Sequence, residues 1–179
     1  MKITRIRTSP ALLLLFVGVW INTWITFSRL PLPSALSLWA FLSAPLILLL
    51  RLGFVTLILQ TLILLREWLI SFRELFRIVT LAFYPVYLGS LLHLLWNSSR
   101  PVMPLSLAHL TASAGIGEEI QMLLNQFSLF ELGWCVMVVK GLSQAAPMGR
   151  PEAARLTVWT WSLLAMGQWA LYLYVQRGF

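Results

Sequence analysis

The sequence predicts an all-α, polytopic integral membrane protein: five transmembrane helices, with the N-terminus in the cytoplasm and the C-terminus outside. Three observations predict it. Hydrophobic residues fill 59% of the 179 positions and charged residues only 11%, where a soluble domain carries roughly a quarter charged residues. With a mean hydropathy of +0.83, the chain has too little polar surface to cover a water-soluble globule. Apolar runs of bilayer length recur along it, and Lys and Arg gather at alternate ends of those runs.

A helix needs about 20 apolar residues to cross the hydrocarbon core. The stretches 11–27, 36–65, 78–96, 127–143 and 156–175 meet or approach that length. The first has a basic lead-in like that of a signal peptide. It is read as a retained span, because it is long, lacks a small-x-small cleavage site and carries Trp20 and Trp24 at its far end. The second is too long for one upright crossing. It is read as an interfacial segment, 36–44, followed by a span over 45–65, with Pro45 in a first helical turn where proline costs little. The spans together form one domain, residues 1–179, with no internal repeat.

Orientation follows from the basic residues. Lys2, Arg5, Arg7, Arg66, Arg73, Arg77, Lys140, Arg150 and Arg155 fall on one side of a five-span chain. Arg29, Arg100 and Arg177 fall on the other, and Arg51 lies within a span. Nine against three places the first set in the cytoplasm. The same distribution excludes nucleic acid as a partner, because a basic stripe on a soluble domain is missing. Membrane lipids and other membrane-protein subunits are the partners this composition fits.

The stretch "SFRELFRIVTLAFYPVYLGSLLHLLW", residues 71–96, starts polar and ends fully apolar. Arg66, Arg73 and Arg77 recur at helical spacing beside Trp68, Leu69, Phe72 and Phe76. This predicts an amphipathic helix on the cytoplasmic surface, lying in the interface or extending the following span, and a basic interface for anionic head groups or an acidic partner. From Ile78 the chain enters lipid. Pro85 predicts a kink, and Gly89 a close approach by another helix.

That stretch resembles the Yip family, small five-span membrane proteins whose eukaryotic members interact with Rab-type GTPases in early secretory traffic. The likeness covers roughly residues 50–172. It continues in "FSLFELGWCVMVVKGLSQAA" and "PEAARLTVWTWSLL", an aromatic-rich span, a Gly-Leu exit, a short basic loop and a last span. The resemblance implies a five-helix bundle, in a bacterial relative within the cytoplasmic (inner) membrane. It implies an accessory or scaffold subunit of a membrane complex in envelope transport or trafficking, without enzymatic activity. A long hydrophilic N-terminal region of the eukaryotic kind is missing from this sequence.

Enzymatic motifs are incomplete. Glu118-Glu119 resemble the paired glutamates of intramembrane CAAX-type metalloproteases, but both histidines, His93 and His109, precede the pair. Two carboxylates at a helix start need no such chemistry, because the helix dipole favours them there. No serine site of rhomboid type and no phosphate-binding loop stands in the chain. Cys135 is the single cysteine, so neither a disulfide within the chain nor a cysteine metal site is expected. No metal and no cofactor is expected.

Ionisable residues within spans are the remaining leads, because they are expensive there. Arg51 and Glu131 fall at matched depth, each in a helix entering from outside, and His93 approaches that level from the other direction. Two readings stand: an Arg51–Glu131 pair joining two spans, or a polar pocket serving a small transporter or channel. Lys140 reads as a snorkelling lysine, Trp134 as packing, and Asn22, Gln60 and Gln168 as hydrogen-bonders between helices.

The basic asymmetry makes a direct prediction. A reporter fused after Phe179 reads as external and one in the loop at Arg150 as cytoplasmic; a C-terminal reporter active only in the cytoplasm overturns the topology.

Overall fold

The computed structural model describes residues 10, 13–21, 34–95, 105–110, 115 and 117–178. Apart from one isolated bridge between Ser106 and Ser128, every element among them is helical. In chain order they are α1 (13–21), α2 (Ser34–Leu64), α3 (Phe72–Ala82), α4 (Tyr84–Leu95), α5 (Leu107–Leu110), α6 (Glu118–Asn125), α7 (Leu129–Ala145) and α8 (Arg150–Gly178). The chain is all-α, as the composition predicts.

Four long elements close a ring: α2 packs on α3, α3 on α7, α7 on α8, and α8 back on α2. One continuous core fills it. Leu52, Val55, Leu59 and Ile63 come from α2, Leu75, Val79 and Ala82 from α3, and Trp134, Val138 and Leu142 from α7, with α1 adding Leu15 and Val19. On α2 and α7 these residues recur three or four apart, one stripe per helix. The other faces stay apolar and uncovered, with Leu46, Ile47, Leu50 and Leu57 exposed on α2 and Trp159, Leu163 and Met166 on α8.

Among the described residues, two stretches are long and apolar enough to cross a bilayer, Leu42–Leu64 and Phe72–Leu92. Of the other spans read from the sequence, 11–27 lies partly outside the described residues. Helix α7 has 17 residues, about 26 Å at the rise of an α-helix and short of a hydrocarbon core of about 30 Å. Helix α8 has 29 residues, but Thr, Trp, Gln and Tyr dilute its apolar character.

The structure decides three local expectations. Helix α2 runs uninterrupted from Ser34 through Pro45, so Pro45 lies inside the helix and not in its first turn. Pro45 leaves only the carbonyl of Phe41 without its helical donor, and the helix tolerates that single loss. Second, of the two forms read for the helix after Ser71, the extension of the following span is the one found: α3 buries Leu75, Val79, Thr80 and Ala82 and forms the first half of the second apolar stretch. Third, Arg66 shares no helix with Arg73 and Arg77. Helix α2 ends at Leu64 in a turn where Glu67 takes φ 60° and the Trp68 N–H reaches back to the Ile63 carbonyl over 3.2 Å. This left-handed cap turns the chain sharply. Residues 68–71 are then non-helical until Ser71 caps α3 by accepting from the Glu74 N–H.

Pro85 is the second residue of α4, just past the helical break at Phe83. It has no N–H for the Leu81 carbonyl, which accounts for the break there.

Helix α7 packs closely on α3 and α4, and glycine makes this possible. A Cβ added at Gly89 would stand 2.5 Å from Cδ2 of Phe130, one at Gly133 3.1 Å from Cβ of Pro85, and one at Gly141 2.5 Å from Cγ2 of Ile78. Going up α3–α4 from 78 to 85 to 89, the partners on α7 run down from 141 to 133 to 130. The two are therefore antiparallel.

Gly89→Ala is expected to destabilise the protein by about 1–3 kcal/mol, the usual range for an overpacked core. In detergent unfolding, Gly89→Ala with Phe130→Ala should lose less than the two single losses added. Strict additivity would mean that the ring of Phe130 does not fill the space above Gly89.

Candidate functional site

A cavity of about 690 Å³ opens among α2, α7 and α8. Helix α2 contributes Arg51 and Phe54, the α3–α4 break contributes Phe83, and α7 contributes Glu131 and Trp134. Gln126 reaches it from the turn before α7, and Trp161, Gln168 and Leu171 from α8. The wall is apolar and aromatic, with two charges and two amides set into it.

Each polar group has a local reason for its place. Glu131 stands in the first turn of α7, where the helix dipole favours a negative charge. Ser128 caps that turn, its Oγ accepting from the Glu131 N–H at 3.1 Å. The start of α7 is itself pinned by the strap at 105–107: the Leu107 N–H donates to the Phe127 carbonyl at 3.0 Å and the Leu129 N–H to the Leu105 carbonyl at 3.2 Å. Arg51 lies near the middle of Leu42–Leu64 and Phe83 near the middle of Phe72–Leu92. The guanidinium carbon sits 5.1 Å from the centroid of the Phe83 ring, within reach of a cation–π attraction. Phe83 in turn meets Trp134 edge to face, centroids 6.3 Å apart. Phe127 meets Trp161 in the same way at 4.8 Å.

Arg51 and Glu131 therefore line the same space, close enough for the charge of one to act on the other. No salt bridge joins them among the described residues. Glu131 is partly buried while Arg51 is exposed. Arg51 lies nine residues after Leu42, where the apolar stretch of α2 begins. His93 lies on α4, but its side chain falls outside the described residues.

The other residues singled out by sequence are dispersed. Arg66 and Arg73 are exposed and Arg77 is half-buried, with Arg66 in the turn and the other two on α3. Gln60 donates from Nε2 to the Ile70 carbonyl at 3.1 Å, tying α2 to the linker before α3. Lys140 is exposed and Trp134 is buried in the core. Glu118 and Glu119 open α6, apart from the cavity. Asn22 lies outside the described residues.

Phe83, Gln126 and Trp161 were not singled out by sequence. Phe83 and Arg51 are 32 positions apart in the chain, and no motif connects them. No protein-family model, curated protein or solved structure matches the chain. The site must be interpreted from its own geometry.

Because the two charges face one cavity without a bridge, a double-mutant cycle of Arg51→Leu and Glu131→Leu should give a coupling below about 1 kcal/mol. Removing one member of a closed buried pair typically costs 3–5 kcal/mol and leaves a large coupling. Coupling of that size, read from unfolding in detergent, would show a closed pair.

Proposed function

We propose that the chain is a five-span integral membrane protein, N-terminus inside, that acts without enzymatic chemistry as an accessory or scaffold subunit of a membrane complex. The observation that carries this reading is the uncovered apolar surface. Only 33% of the apolar window in α2 and 39% of that in α3–α4 is buried within the bundle. A core helix of a soluble protein would hide most of such a stretch, whereas lipid or a membrane-protein partner covers an outward apolar face at no cost in water contact. The resemblance to the Yip family adds the five-span count, and a bacterial cytoplasmic membrane as the setting. Arg66, Arg73 and Arg77 supply cytoplasmic charge for anionic lipid or an acidic partner surface.

A second reading, a small transporter or channel, is favoured by the cavity that Glu131 lines together with Arg51, which lies near the middle of the apolar stretch Leu42–Leu64. Polar residues at that depth commonly mark a path for an ion or solute.

The protein should resist extraction by alkaline carbonate, and mild detergent should release it with a stoichiometric partner. Changing Arg66, Arg73 and Arg77 together to Gln should weaken that association several-fold. Each such charge at a membrane surface is worth about 1 kcal/mol. Release by carbonate would overturn the membrane reading, and purification as a bare monomer with intact solute flux would favour the transporter.

A further inference from the structure

We infer that the cavity among α2, α7 and α8 binds the head group of a zwitterionic phospholipid, its phosphate on Arg51 and its ammonium on Glu131. The inference rests on the membrane-spanning reading and adds a ligand to it. Opposite charges line one space without closing on each other, and the guanidinium lies over the Phe83 ring. A ligand carrying both signs satisfies both groups, whereas an anion or a cation alone meets one attractive and one repulsive neighbour. Gln126 and Gln168 add amide donors and acceptors to the same lining.

The volume suits a ligand larger than a lone ion. A volume of about 690 Å³ falls within the range of small-molecule sites. It would hold on the order of twenty waters at about 30 Å³ each. A head group with the upper part of its chains fits that volume.

The route favours a lipid over a soluble solute. Phe54 and Leu171 line the cavity and are also exposed on the outer surface of α2 and α8. The cavity is therefore open between α2 and α8, two helices whose apolar faces the membrane reading places in lipid. Chains left outside the cavity would lie along those apolar faces while the polar end reaches Arg51 and Glu131.

The test uses the full-length protein in mild detergent, titrated with phosphatidylethanolamine, phosphatidylcholine or phosphatidylglycerol of matched chains. Melting temperature and co-purifying lipid are read together. The two zwitterionic lipids should raise the melting temperature by roughly 5–10 °C at a hundredfold excess over the dissociation constant. Phosphatidylglycerol should give less than a third of that shift. Arg51→Gln should abolish the zwitterion response. Glu131→Gln, nearly identical in shape, should raise the phosphatidylglycerol response to that of the zwitterions. Arg51→Lys, which keeps the charge but loses the fork, should retain a reduced preference and report on folding. Equal responses to the three lipids in the wild type overturn the inference, as does a preference unchanged in both Gln variants. Stabilisation by free phosphoethanolamine without any by the lipids overturns the lipid source. Release of the chain by carbonate sinks the membrane reading; a carbonate-resistant chain with equal lipid responses sinks this inference alone.

Discussion

The seam between α7 and α3–α4 sets the geometry of the whole bundle. Phe130 occupies the space over Gly89, the ring of Pro85 lies against Gly133, and Ile78 lies against Gly141. Three contacts along one antiparallel pair fix rotation, register and distance together. The small residue alternates sides, on α4 at one contact and on α7 at two, so neither helix can slide without driving a side chain into backbone. Van der Waals packing of this kind needs no water to drive it, which suits a bundle whose outer faces are apolar.

The seam also decides where α7 begins. With Phe130 held at the level of Gly89, α7 starts below the end of the second apolar stretch at Leu92. The strap at 105–107 and the turn after α6 come down to meet it, paired across Ser106 and Ser128. Non-helical backbone packed within a bundle is tolerated only where its polar groups are satisfied. Here the bridge pairs two N–H groups, and Ser128 caps a third. A short helix with a satisfied start leaves room beside it. That room is the cavity, and it puts Glu131 at its edge.

Polar groups elsewhere in the core are handled locally. Thr56, Thr80, Thr157 and Thr160 are fully buried, and each hydroxyl donates to the carbonyl four residues earlier at 2.7–2.9 Å. They pack as small side chains and ask nothing of neighbouring helices. Arg51 differs. It is too long and too charged to be satisfied within its own helix, and it reaches the face of Phe83 instead. A cation over an aromatic ring is worth about 0.5–2 kcal/mol, while an Arg at the centre of a span costs roughly 2.5–3.5 kcal/mol on insertion scales. On the membrane-spanning reading, the ring offsets part of that cost.

The sequence by itself determined the class of structure. Scarcity of charge and repeated apolar runs force helices that satisfy their own backbone, and the all-α architecture follows. Pro85 and Gly89 marked where a helix would break and where another could approach, because those properties belong to single residues. Ser71 and Ser128 were legible as caps for the same reason, although neither was singled out. Tertiary structure alone decided the rest. Whether Pro45 ended a segment or sat within α2 depended on what the helix packs against, since one lost hydrogen bond is a small term. Arg66 left the stripe of Arg73 and Arg77 because Glu67 adopts a left-handed turn, which a spacing rule does not register. The site was half visible: Arg51 and Glu131 stood out as charges in apolar runs, but whether they met depended on the level at which the seam holds α7. Phe83, Gln126 and Trp161 carry no sign of their role in one dimension, because a cavity wall is made by residues distant in the chain and ordinary in type.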